Sequence, residues 1–308
     1  MGGKAGAGPA ADGTGLVERL GFAAGARVAI VHCDDIGMCH AANQGAFEAL
    51  DHGPATCGSV MVPCPWFAEA ASWIRERPGV DIGVHLTLNA EWSNYRWGPV
   101  AGRSAVPSLL DAGGYLPRTV AEVHANARPE EVELELRAQI DAALAAGIDV
   151  THLDSHMGTV LMPPLSDIYV KLALDYRLPL FLFRPTPRQL DERGLSPARA
   201  LIERAVAGAS AAGLPLFDGF DADSLSFRPG EGLAHNRARL EGLGGGLNYL
   251  ICHPAQAGEE LSAIAPEAHC RDFERSFYGG DAGRSALAEF GIETLGMRPL
   301  RDLVRGEA

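Results

Sequence analysis

The sequence predicts an α/β fold, a closed or nearly closed (β/α) barrel of seven or eight mostly parallel strands. Three observations lead there. Short runs of β-branched and apolar residues alternate with stretches of helical spacing, the pattern of a parallel sheet joined by crossover helices. Seven or eight such units favour closure over an open, doubly wound sheet. Polar residues also gather where strands end, at Asp34, Asp35, His85, Asp154, His156, Arg184, Asp218 and His253. That is the face on which (β/α) barrels build their sites.

The elements follow in order. Residues 1–15 are rich in Gly and Ala, lack the apolar centre of a signal peptide, and read as a disordered tail. Residues 16–308 read as a single barrel domain. A short helix at 16–22 leads into the first strand, whose apolar run at 28–31 ends at Asp34 and Asp35 before Gly37. A helix at 41–50 stops at Gly53. The second strand, 56–62, is stopped by Pro63 and Pro65, and a helix at 66–77 precedes the third strand, 80–88, which carries His85. Residues 89–128 lose all periodicity and hold Trp92, Tyr95 and Trp97; a loop this long is usually a lid or a binding wall. The next helix, 129–147, opens on Pro129 and two acids and repeats apolar residues at Val132, Leu136, Ile140 and Leu144. Strands at 149–156, 179–184, 214–219 and 247–253 then alternate with helices at 165–177, 197–212 and 232–243. Helical stretches at 285–290 and 299–304 flank a last short strand at 292–295.

A chain of 308 residues suits one large domain, and 47% hydrophobic with 21% charged residues is a globular balance. The net charge of −13 argues against binding nucleic acid or an anionic membrane by bulk electrostatics. No charge-free run is long enough to span a bilayer. Six cysteines at 33, 39, 57, 64, 252 and 270 form no C-x-x-C pair, which fits buried free thiols in a reducing, cytoplasmic compartment. A glycine-rich phosphate loop and a G-x-S-x-G nucleophile elbow are both lacking.

One aspartate at a strand end caps the helix that follows. Two adjacent ones repel, unless a cation or a shared proton relieves them. Asp35, His85 and His156 lie at equivalent strand ends, and two imidazoles with a carboxylate suit zinc or another first-row metal with positions left for water. Taken singly, each histidine is more often a structural residue. Asp154 and His156 are two apart and share a strand face, so Asp154 is placed to orient an imidazole or Arg184. Trp66, Trp92, Tyr95 and Trp97 offer faces for sugar rings, with core packing the competing reading for Trp66. His32, His52, His124, His235 and His269 show no spacing that supports a role and read as solvated or structural.

Asp34-Asp35-Ile36-Gly37 with Asn43, Ser59-Val60-Met61-Val62, Gly83-Val84-His85-Leu86-Thr87-Leu88, His152-Leu153-Asp154-Ser155-His156 and Cys252-His253-Pro254 together resemble the YdjC-type carbohydrate deacetylases, the ChbG/HpnK family. The match runs in order over roughly residues 26 to 300. The resemblance implies a barrel-like fold and a hydrolase that removes an N-acetyl group from an amino sugar with one divalent metal ion, Mg or Zn. It implies metal ligands at Asp35, His85 and His156, a base at Asp34 and an acid at His253, taken to work as an imidazolium near neutral pH. Asp154, Arg184, Trp97, Asn43 and Met61 are then expected to touch substrate or support the ligands. Gly158 stands where the family commonly has a second histidine, so any role of that group is lost. The segment 92–99 also departs from the shortest members. Two other readings are a metal hydrolase of another bond, such as a phosphoester, and a carbohydrate-binding barrel without chemistry. A homodimer in which the 89–128 loop of a neighbour completes the site is a further expectation.

Overall fold

The first strand shows why the barrel forms. Arg27–Ile36 (β1) is buried at every position but its first, as a strand covered on both faces must be. In a computed structural model, which describes residues 15–192 and 196–307, β1 lies central among Cys57–Val60 (β2), Ile82–Leu86 (β3), Val150–Ser155 (β4), Gly219–Asp221 (β5), Gly246–Cys252 (β6) and Ile292–Thr294 (β7). All pair in parallel, in the order β4-β3-β2-β1-β6-β5, with β7 against the start of β1. The sheet curls into a half-barrel. Among the described residues, the remaining arc makes only isolated bridges, Leu153 with Leu180 and Phe183 with Phe217.

That arc corrects two predicted strands. Residues 179–184 make no ladder, and the strand predicted at 214–219 forms only as β5. Pro179, Pro185 and Pro215 lack the amide donors a continuous ladder requires.

Helices cover the outer face: Leu16–Arg19 (α1), His40–His52 (α2), Phe67–Arg75 (α3), Val120–Asn126 (α4), Pro129–Ala145 (α5), Ser166–Tyr176 (α6) and Pro187–Glu192 (α7). Arg199–Ala211 (α8), Gly232–Glu241 (α9), Glu259–Ile264 (α10), Ala268–Tyr278 (α11), Asp281–Glu289 (α12) and Arg298–Arg305 (α13) complete them. The sequence pattern missed α4, α7, α10 and α11. The reason is plain for α11: its inward face holds Arg271 and Glu274 beside Cys270, Phe277 and Tyr278, so no apolar stripe marks it.

The predicted tail, apart from Gly15, lies outside the described residues. Among the described residues no helix is long and apolar enough to cross a membrane. All six cysteines are free and buried.

Candidate active site

The 89–128 loop folds back on its own barrel. Tyr95 donates its hydroxyl to the Met38 carbonyl at 2.6 Å, and Glu135 accepts the Val100 and Ala101 amides at 2.9 and 2.8 Å. It delivers Glu91 to the sheet mouth.

β1 brings Asp34 and Asp35 to that mouth, and the backbone turns sharply between them. Asp35 has φ +64°, a left-handed conformation that Asp tolerates better than most residues, and Gly37 follows at +91°. The turn separates the two carboxylates. Asp35 Oδ1 faces His85 Nε2 at 3.6 Å and His156 Nδ1 at 3.3 Å.

The far atom of each of these three side chains is held. Arg271 Nη1 donates to Asp35 Oδ2 at 2.8 Å. His85 Nδ1 lies 2.9 Å from Asp154 Oδ1, and the Ser59 hydroxyl donates to Asp154 Oδ2 at 2.9 Å. His156 Nε2 lies 3.0 Å from Glu91 Oε2. Outer partners of this kind fix the tautomer and aim of metal-binding groups. Asp35 Oδ1 itself has no hydrogen-bond partner although it is buried, and an orphaned carboxylate oxygen is costly unless a cation satisfies it. The ligand atoms of Asp35, His85 and His156 all lie within 4.8 Å of one another. The three therefore fit a cation, and Asp35 Oδ1 is the atom that needs one.

Charge sets what a cation must displace there. Burial works against ionising Asp35, but the Arg271 guanidinium holds its carboxyl well below the usual range. Burial would also depress His156, yet Glu91 and Asp35 raise it to about 10. His85 is raised too, Asp154 outweighing its burial.

Asp34 and His253 stand beside this cradle. Asp34 Oδ2 is 3.7 Å from His85 Nε2 and 3.8 Å from His253 Nε2. His253 is held at its backbone amide by Glu274 (2.7 Å), and its Nδ1 lies 2.9 Å from the Ser224 hydroxyl, which donates to Glu274. Burial pushes His253 down to about 4. The expectation of an imidazolium near neutral pH is thereby corrected: His253 is neutral until a proton reaches it.

The other expected residues divide. Asn43 is buried and accepts the Gly37 amide at 2.6 Å while donating to Glu69 at 2.7 Å, so it ties down the turn after Asp35. Met61 is fully buried, and its backbone amide donates to the Ile36 carbonyl at 2.7 Å, which makes it scaffold for the same turn. Trp97 is only 3% exposed and donates its indole N–H to the Asn89 carbonyl. It meets His156 edge-on, and buried as it is it supports that ring and offers no face to a sugar. Arg184 and Asp218 are corrected outright. The exposed Arg184 reaches Ser210 at 3.4 Å, and Asp218 accepts the Leu247 amide at the start of β6, lining a groove with Gly245 and Gly246 at the opposite end of the sheet. Residues 179–184 do not run as a strand, so its expected end does not carry Arg184 to the mouth.

Local reading missed Arg271, Glu91, Ser59 and His32. Arg271 lies 236 positions from Asp35 on a helix with no pattern of its own, so nothing local signals it. His32 is fully buried and its Nδ1 is 2.7 Å from Asp34 Oδ1. Here a signal existed, because residues two apart on a strand share a face.

Asp34 and Asp154 also line a cavity of about 340 Å³ whose walls include Phe181, Phe183, Phe220 and Tyr249. These rings are an aromatic surface beside Asp34, while Trp92 and Tyr95 of the loop line a separate cavity with Glu91.

Comparison with known proteins agrees with the motifs. A carbohydrate deacetylase of Thermus thermophilus is 46% identical over 183 residues, covering 59% of this chain and 61% of its own. One from Geobacillus stearothermophilus is 28% identical over 275 residues, 88% of this chain and 97% of its own. A chitooligosaccharide deacetylase of Yersinia enterocolitica is 30% identical over 168 residues, 53% of this chain and 62% of its own. The matched region thus spans about three fifths of the first relative's length. A crystal structure from Enterococcus faecalis, provisionally assigned to cellobiose-phosphate cleavage, superposes with a TM-score of 0.70 at 25% identity over 89% of this chain and 99% of that one. The family model described as YdjC-like protein matches residues 28–289, and the chain accordingly belongs to the YdjC-like family.

Proposed function

We propose that this protein is a metal-dependent hydrolase that removes the N-acetyl group of an amino sugar. The observation that carries the reading is the convergence of Asp35 Oδ1, His85 Nε2 and His156 Nδ1, every far atom held, beside a second carboxylate and a second imidazole. The carbohydrate deacetylases among its relatives support the choice of bond.

Asp35, His85 and His156 would hold the cation, and two nitrogens with one oxygen favour zinc or another first-row metal over magnesium, which prefers oxygen. Such an ion supplies Lewis-acid polarisation of a carbonyl and of water. The remaining steps belong to the chain. Asp34 Oδ2 takes a proton from the attacking water. His253, neutral with its Nδ1 turned to Ser224, presents Nε2 to Asp34 and passes the proton on to the departing amine. The phenyl rings of Phe183 and Phe220, 4.3 Å apart by centroid, form the surface on which the sugar ring rests. The reading as a phosphoester hydrolase is weaker, because the buried guanidinium of the site, Arg271, is committed to Asp35 and Glu267.

Acetate release from a panel of N-acetyl sugars, with and without added metal, tests the reading. His85→Ala and His156→Ala are expected to lose both metal and turnover. Asp34→Asn and His253→Ala are expected to keep the metal and lose about 10²-fold or more in kcat. Metal content unchanged in both histidine variants would overturn the ligand assignment.

A further inference from the structure

Asp34 is the visible end of a buried chain of hydrogen bonds. His32 Nδ1 lies 2.7 Å from Asp34 Oδ1, and His32 Nε2 lies 2.8 Å from His152 Nε2. His152 Nδ1 lies 2.9 Å from the Thr151 hydroxyl, which donates to Asp81. Asp81 also accepts the Arg298 amide at 2.7 Å, at the start of α13. His32, His152 and Thr151 are wholly buried, and Asp34 and Asp81 are 7% and 8% exposed. Tyr249 stacks on the His32 ring at 4.8 Å, and the two imidazoles meet edge to face. The rings therefore cannot turn without opening the core.

Donor counting gives the chain a direction. Thr151 spends its proton on Asp81, so its oxygen accepts from His152 Nδ1. Burial holds His152 neutral, with a value pushed down to about 3, so its Nε2 carries a lone pair and accepts from His32 Nε2. His32 Nδ1 then shares one proton with Asp34 Oδ1, whichever of the two atoms carries it. Oδ1 is committed, and Oδ2 alone faces His85 and His253.

We propose that His32 is a positioning residue that selects Oδ2 of Asp34 as the base, its own ring orientation set from the far side of the barrel by His152, Thr151 and Asp81. The inference rests on Asp34 being the base. It adds that the accuracy of that base depends on residues without access to substrate.

The test uses the full-length, metal-loaded protein and an N-acetyl sugar that the wild type cleaves. An asparagine amide sets an N–H or a C=O near the place of His32 Nδ1 and can meet Asp34 Oδ1 in either case, whereas a glutamine amide reaches the Nε2 position. His32→Gln and Thr151→Val are expected to lose about 10-fold or more in kcat, with KM and metal content within about twofold of wild type, and His32→Asn to recover most of the loss. His32→Gln as active as wild type, or His32→Asn no better than His32→Gln, overturns the proposal. Should the His32 variants not fold, Thr151→Val and the metal-free wild type decide by proton NMR. Slowly exchanging imidazole N–H signals far downfield, displaced in Thr151→Val, are expected; their absence, or no displacement, overturns it. Asp34→Asn is measured alongside. If it keeps wild-type turnover, the base assignment fails; if it is inactive while the Thr151 and His32 variants are normal, only the positioning chain fails.

Discussion

At the scale of single residues, His156 governs how the site answers to pH. Its value of about 10 means that the ring carries a proton which a cation must displace throughout the physiological range. Apparent metal affinity should therefore rise about tenfold per pH unit between pH 6 and 9, with proton release visible by calorimetry in buffers of different ionisation heat. Glu91→Gln removes the largest group raising that value and should flatten the slope; an unchanged slope would detach Glu91 from the site. For the metal-free chain the sign reverses. A histidine raised above its unfolded value stabilises fully below about pH 6.5 and loses that contribution as pH climbs through about 10. What was legible at this scale was the identity of the inner groups. Asp34, Asp35, His85, His156 and His253 announce themselves as polar residues ending apolar runs. Their partners do not. Arg271, Glu91 and Glu274 are ordinary charged residues in helices or loops, and only tertiary packing turns them inward.

At the scale of elements, the helices are not passive cover. Gly45 on α2 faces the segment that follows His253, and a Cβ there would lie 2.5 Å from the backbone of Pro254 and Ala255. Alanine is the better helix former by about 1 kcal/mol, but overpacking a close-packed contact costs about 1–3 kcal/mol, so the clash decides the sign. Gly45→Ala should lower the melting temperature and, by displacing His253, reduce kcat with metal content intact. Wild-type stability and turnover would mean that the segment yields freely. The boundaries of α2, α5, α6, β1 and β6 follow caps, prolines and periodicity closely enough to be read from sequence. The strands at 179–184 and 214–219 do not: an apolar run flanked by proline looks like a buried strand, while the missing amides reduce its pairing to isolated bridges and single bonds, such as the Phe181 amide to the Leu153 carbonyl.

At the scale of the whole molecule, the cradle joins three strands, since Asp35, His85 and His156 arrive from β1, β3 and the end of β4. A ligand that binds only the folded arrangement stabilises it by mass action, about 2.7 kcal/mol at a hundred times its dissociation constant. Added metal should raise the melting temperature by on the order of 5 °C in wild type and leave His85→Ala unmoved. An equal rise in both proteins would place the ion elsewhere.

The barrel is held unevenly, and this matters for lineage as well as for stability. The arc from β1 to β4, paired strand to strand with a register shift beside Asp34 and Asp35, carries Asp34 and the three cradle residues. The arc that carries Phe181 and Phe183, with Phe217 opposite, hangs on two bridges. Drift in the second arc can reshape the cavity wall while the reaction is inherited unchanged on the first. Under the proposed function, related chains could thus exchange one sugar for another without re-inventing hydrolysis. A library confined to residues 181–183 and 220–222 would search substrates along the same path.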